Sequence, residues 1–179
     1  MKNEFAPQHL HIAAFASAGA SHIGSEKLAR FPRLMELTAG LGGETRVEYE
    51  LRGRLQADGA GVDEPWMHLA AQSSLILTCQ RCLGPVEVEV GFDRNFRFVA
   101  TEELAAIEDE ESDEDVLVAS KTFNVLELIE DELLMAAPVA PKHDHCPQAV
   151  KLAAIDPDFV DAPSEKPNPF AVLQQLKKS

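Results

Sequence analysis

The stretch "LTCQRCLGPV", Leu77 to Val86, decides how the rest of this chain is read. Cys79 and Cys82 stand two residues apart around Gln80 and Arg81, and a Gly-Pro pair follows. Upstream, from about Trp66 to Thr78, Met67, Leu69, Ala71, Leu75 and Leu77 fall on one face of an alternating pattern. Downstream, "PVEVEVGFDRNFRFV" sends Val86, Val88, Val90 and Phe92 to one side and Glu87 and Glu89 to the other. Phe96 and Phe98 continue it past an expected irregularity near Asp93. Alternation of this kind marks half-buried strands, so the cysteine pair is the corner between two of them. A redox Cys-x-x-Cys normally opens a helix, whose dipole lowers the thiol pKa. This one opens a strand, as in one arm of a zinc ribbon or knuckle.

A third strand precedes these two. In "TRVEYELRGRLQ", Val47, Tyr49, Leu51 and Leu55 share a face, with Gly53 among them as a bulge or a point of close approach. Arg46, Glu48, Glu50, Arg52 and Arg54 take the other face. Three successive strands with short links predict an antiparallel meander. The fold class expected is α+β: an antiparallel β meander or partly open barrel-like sheet, with one main acidic helix and short terminal helices.

The main helix follows Asn124, a favourable N-cap with Glu127 three residues on. Phe123 and Leu128 occupy the positions of a hydrophobic staple, and Leu126, Ile129, Leu133 and Ala136 recur at helical spacing. Glu127, Glu130 and Asp131 are placed on the outer face, and Pro138 ends the helix. Toward the N-terminus, a short strand is expected around Leu10 to Phe15. Ser25 is read as the cap of a short helix that Phe31-Pro32 breaks before a turn to Leu37. Val116 to Ser120 reads as one more short strand. The domain reading is a partly ordered N-terminal extension over 1–25 and an α+β core over 26–150. Within the core, 102–115 is an acidic loop. Residues 151–179 form an extended C-terminal segment with a short helix.

The charge is lopsided. The chain carries −14, yet residues 1–101 hold 12 acids and 10 bases, whereas 102–179 hold 18 acids and 6 bases. Nine of those acids lie between Glu102 and Asp115. A sequence pI near 4.7 argues against nucleic-acid binding through bulk charge and suits solubility or a basic partner. No apolar run approaches the eighteen or so residues of a membrane span. "IAAFASAGA" has the look of a signal core, but only Lys2 precedes it and Glu4 offsets that charge. The expectation is a cytoplasmic chain with no membrane partner. Three cysteines form no disulfide framework, and in the cytosol closely spaced thiols more often bind metal or react.

A closed zinc site needs four ligands. "KHDHC" offers the second pair: His143 and Cys146 repeat the two-residue spacing of Cys79 and Cys82, with His145 as substitute. Three readings stay open on the residues alone: a Cys3His zinc site, reduced thiols in a polar turn, and a thiol redox pair at Cys79 and Cys82. No phosphate loop and no nucleophile elbow is present. No enzyme activity and no small-molecule substrate is therefore expected.

"LTCQRCLGPVEVEV", "LELIEDELLMAAPVAPKHDHC" and "EKPNPFAVLQQLKKS" run in an order that resembles the YceD family, the bacterial large ribosomal RNA subunit accumulation proteins. The family motif falls here on Cys79, Arg81, Cys82, Asp131, Glu132, Pro138, Pro141, His143, Cys146, Pro167, Asn168, Pro169 and Phe170. The resemblance implies a cytosolic, non-enzymatic ribosome-biogenesis factor supporting synthesis, processing or stability of 23S rRNA. Two ways of acting are compatible with it. The acidic half binds a basic ribosomal protein or assembly enzyme through Glu108, Glu110, Glu111, Asp113, Glu114, Asp115, Glu130 and Asp131. Alternatively, Arg46, Arg52, Arg54 and Arg81, with Arg94 and Arg97 nearby, bind the rRNA directly.

Overall fold

The computed structural model describes residues 5–57, 61–110, 112 and 114–148. A helix α1 (Ile12–Ser17) leads into strand β1 (Ser21–Lys27), a 3-10 turn (Leu28–Arg30) and helix α2 (Pro32–Leu37). Three long strands follow: β2 (Arg46–Ala57), β3 (Asp63–Thr78) and β4 (Pro85–Val99). Helix α3 (Glu102–Asp109), strand β5 (Asp115–Val118) and helix α4 (Val125–Ala136) complete the described elements. The strands form one open sheet in the order β1-β2-β3-β4-β5. The first four are antiparallel, and β5 runs parallel to β4. The fold is α+β, with a meander at its centre as the alternation predicts.

The meander buries one face. Val47, Tyr49 and Leu51 of β2, Met67, Leu69, Leu75 and Leu77 of β3, and Val86, Val90, Phe96 and Phe98 of β4 lie in a single core. Ile12 and Phe15 of α1, Leu34 of α2, and Val125, Leu126, Ile129 and Leu133 of α4 close over it. Each fully buried aliphatic or aromatic side chain contributes about 1.5–3 kcal/mol, so this face is the main stabilising element. Gly53 is a point of close approach. A Cβ there would stand 2.7 Å from Phe15 Cδ1 and 2.8 Å from the Phe15 carbonyl oxygen, which is how α1 lies flat on β2.

Several local expectations change. Leu10–Phe15 is not a strand: His11 Nδ1 accepts from the Ala14 N–H at 3.2 Å and caps α1. Ile12, Phe15 and Ala16 then bury at the i, i+3, i+4 spacing of a helix. Ser25 caps no helix. It sits inside β1 opposite Glu48. β1 escapes a periodicity reading because it is an edge strand whose residues alternate only between exposed and half-buried. Pro32 starts α2 rather than breaking it, since its missing N–H costs nothing at the first turn. No irregularity occurs at Asp93, because the β3–β4 register runs unbroken from Thr78↔Pro85 to Trp66↔Arg97. Leu55 and Ala136, expected inside, are exposed. The acidic stretch begins as helix α3, capped by Thr101 Oγ1 accepting from the Leu104 N–H at 3.3 Å. α4 starts where expected, with Asn124 Oδ1 accepting from the Leu126 N–H at 3.2 Å.

Glu130 departs furthest from its expected place. It is only 4% exposed and does not join an outer face. Its Oε1 accepts from the N–H groups of Arg33 at 2.7 Å and Leu34 at 3.2 Å, and Oε2 pairs with Arg33 Nε at 3.1 Å. A carboxylate on α4 thereby satisfies two of the otherwise unpaired donors at the start of α2. Asp131 binds the same guanidinium, and the two hydrogen-bonded carboxylates, Asp131 first, raise the Arg33 pKa. The expected helix and the residues 167–170 of the C-terminal segment lie outside the described residues.

Candidate metal centre

The β3–β4 connection is a tight corner. The Cys79 N–H donates to the Gly84 carbonyl at 2.8 Å, and the Leu83 N–H to the Cys79 carbonyl at 2.9 Å. Leu83 takes the left-handed conformation (φ 59°) that closes the turn. The extended segment after α4 passes beside this corner, where the Gln80 N–H donates to the Pro141 carbonyl at 2.8 Å. That contact carries "KHDHC" onto the cysteine pair.

Cys79, Cys82, His143 and Cys146 converge, with their ligand atoms all within 4.8 Å of one another. A tetrahedral zinc ion with Zn–S of about 2.3 Å and Zn–N of about 2.0 Å separates sulfur from nitrogen by about 3.5 Å. Cys82 Sγ and His143 Nδ1 stand 3.4 Å apart. His143 Nε2 lies 3.0 Å from the Pro85 carbonyl oxygen. That carbonyl takes the ring's N–H and leaves Nδ1 as the ligating atom, an arrangement common at metal-binding histidines. His145 is exposed and lies outside the cluster, so the substitute ligand is not the one the fold selects.

The thiols are differentiated. Burial pushes the Cys79 thiol up, but hydrogen bonds from the backbone of Cys82, His143 and Arg81 and from the Cys82 side chain outweigh it and bring it to about 5. Cys146 is pushed up to about 11, first by burial and then by the neighbouring sulfurs of Cys82 and Cys79. A divalent cation removes that repulsion, because it binds thiolates and makes their crowding favourable. The donor set and spacing fit zinc.

The arginines are largely occupied. Arg81 donates to the carbonyl oxygens of His143 and, at 3.5 Å, Asp144, so it clamps the second ligand arm to the first. This role was hidden in the sequence, because its acceptors are backbone oxygens 62 and 63 residues away. Arg52 pairs with Glu50, Arg94 with Asp115 and Glu132, and Arg97 with Glu64 and Glu108. Arg46 donates to the Ser25 carbonyl at 3.5 Å, and Arg54 stacks over Trp66, 5.1 Å from the ring centroid. The acids of the expected contact surface divide. Glu108 and Asp115 are bound to arginines, Glu130 is buried, and Asp131 holds Arg33. Glu110 is exposed, Glu114 accepts from Ser112 Oγ at 3.2 Å, and Glu111 and Asp113 lie outside the described residues.

An open mixed sheet whose central corner gathers three thiols and an imidazole defines an α+β protein with a knuckle-like Cys3His centre. Residues 67–177 match the family model "Large ribosomal RNA subunit accumulation protein YceD", a span that contains all four candidate ligands. The chain belongs to the YceD family. It is 33% identical over 115 residues to the large ribosomal RNA subunit accumulation protein YceD of Haemophilus influenzae, covering 60% of this chain and 62% of that protein. No solved structure matches the chain. Among the described residues no helix is long and apolar enough to cross a membrane.

Proposed function

We propose that this protein is a cytoplasmic, non-enzymatic factor supporting accumulation of 23S rRNA, and that it acts as an acidic adaptor for a basic ribosomal protein or assembly enzyme. Family membership supports the rRNA role. The observation that carries the adaptor reading is the internal use of arginine. Arg33, Arg52, Arg94 and Arg97 are each paired with the chain's own carboxylates, and Arg81 with backbone carbonyls. Phosphate binding depends on local lysine and arginine, whereas the −12 half offers its surplus charge to a basic partner. Zinc, held by Cys79, Cys82, His143 and Cys146, is proposed as a structural ion that ties the segment after α4 to the sheet. The burial of Cys79 speaks against its attack on a redox substrate.

Two titrations with salt test the reading: capture of purified large-subunit ribosomal proteins, and gel shifts with 23S rRNA fragments. Protein capture that weakens with salt is expected. Tight rRNA binding lost on Arg52→Glu with Arg54→Glu, and no protein capture, would replace the adaptor with a direct rRNA-binding protein.

A further inference from the structure

Helix α3 is built inside out. It buries Ala105, 7% exposed, against Val99 and Val116, and leaves its two largest apolar side chains in solvent. Leu104 is 42% exposed and Ile107 65% exposed. Their three-residue spacing puts them on neighbouring positions of one helix surface. The helix is nonetheless fixed in place. Thr101 caps it, Glu108 pairs with Arg97 on β4, and Asp109 Oδ1 accepts from the Val116 N–H at 3.1 Å. A pinned helix with an outward Leu-Ile pair has no stabilising reason to leave those side chains in water, where each forgoes the gain of burial.

The charge around the pair says what covers it. Glu102 and Glu103 in its first turn and Glu110 at its C-cap are exposed. No lysine, arginine or histidine occurs from Glu102 to Ser120, against nine acids up to Asp115. A second copy would bring nine acids against nine, and RNA would bring phosphates against them. A basic protein with an apolar cleft meets both features at once. We propose that Leu104 and Ile107 are the apolar anchor by which α3 docks a basic large-subunit ribosomal protein, with Glu110, three residues beyond Ile107, on its polar rim. The inference rests on the adaptor reading and names its contact surface. Charged rims steer association and set salt dependence, while a central apolar pair holds the complex.

The experiment uses the full chain and individually purified, RNA-free large-subunit ribosomal proteins, with affinity measured from low to moderate salt. Leu104→Ser with Ile107→Ser is expected to weaken capture at least tenfold at every salt concentration, about 1.4 kcal/mol, with the salt slope unchanged. Glu110→Gln is expected to flatten the slope. Because these side chains are exposed, the thermal midpoint of either variant falls by no more than a few degrees and both remain folded at the binding temperature, which separates lost docking from lost folding. If the serine variant binds like the parent while the glutamine variant does not, the anchor is wrong and the adaptor stands. If no ribosomal protein binds the parent chain at all, both fall. A parent chain that sediments as a dimer, and is made monomeric by the serine substitutions, also overturns the inference, since the occupant is then a second copy.

Discussion

Replacing Glu130 with alanine tests whether this acid serves the fold or a partner. Two backbone donors, the N–H groups of Arg33 and Leu34, would lose their acceptor at a site where the carboxylate side chain is 5% exposed. An orphaned buried donor costs about 1–3 kcal/mol. The Arg33 guanidinium keeps Asp131 and is 47% exposed, so its loss adds little. Two such donors sum to about 2–6 kcal/mol for Glu130→Ala, or a fall in Tm of at least about 4 °C for a domain of this size. Asp131→Ala removes only the exposed pair and should cost under about 1 kcal/mol. Urea unfolding followed by the fluorescence of Trp66, the sole tryptophan, measures both, because Trp66 sits in β3, far along the sequence from the perturbed contact. Hydrogen exchange at the Arg33 and Leu34 amides should accelerate in Glu130→Ala alone. Equal and small losses in the two variants would refute the cap and return Glu130 to the surface. The comparison also guards functional work, since a Glu130 variant that fails to bind a partner would otherwise be misread.

Protein purified without metal-affinity resin should carry about one zinc per chain by elemental analysis, and Cys146→Ser should lose it. A chelator should lower the Tm of the parent chain but not of that variant; no metal in the parent and no chelator effect would remove the zinc reading. Arg81→Ala keeps all four ligands but frees the second arm, so zinc retention against a competing chelator should fall about 10–100-fold. Tyr49 is the sole tyrosine, and burial first, then Glu26, raise its pKa, with Arg30 acting against them. A raised folded-state pKa contributes stability that is complete below the unfolded value near 10 and is lost as pH rises through the folded value. Alkaline unfolding should therefore begin near pH 10 and be blunted by Tyr49→Phe, with the ultraviolet phenolate titration of the parent displaced upward. Gly53→Ala forces a Cβ into Phe15 and should cost about 1–3 kcal/mol through displacement of α1. An unchanged unfolding midpoint would mean that α1 does not rest on β2.

The residues that could be read in advance are those governed by near neighbours. Alternation in β2, β3 and β4, the Asn124 cap and the apolar spacing of α4 are short-range patterns, and they appear in the fold where the sequence places them except at the ends of β2 and α4, where Leu55 and Ala136 are exposed. The three cysteines and the "KHDHC" segment were legible as a candidate cluster, because two pairs with equal spacing and a corner between strands are features of the chain itself. Which histidine joins them was not. That choice is made by the Pro85 carbonyl and by the Pro141 contact, and backbone acceptors carry no side-chain signature.

The elements missed have a common cause. β1 is an edge strand, so its identity comes from pairing with β2 and not from burial of its own side chains. Glu130 looks like one acid among several on α4 until α2, 97 residues earlier, presents two amides to it. The central meander and the main helix could be read from the chain alone, because local spacing encodes which side of a strand or helix is apolar. Which charges are satisfied inside the molecule emerges only from the folded chain, since an ion pair or a cap depends on groups brought together from far apart in sequence. For the same reason the outward Leu104 and Ile107 became visible only once α3 had been seen to bury its alanine instead.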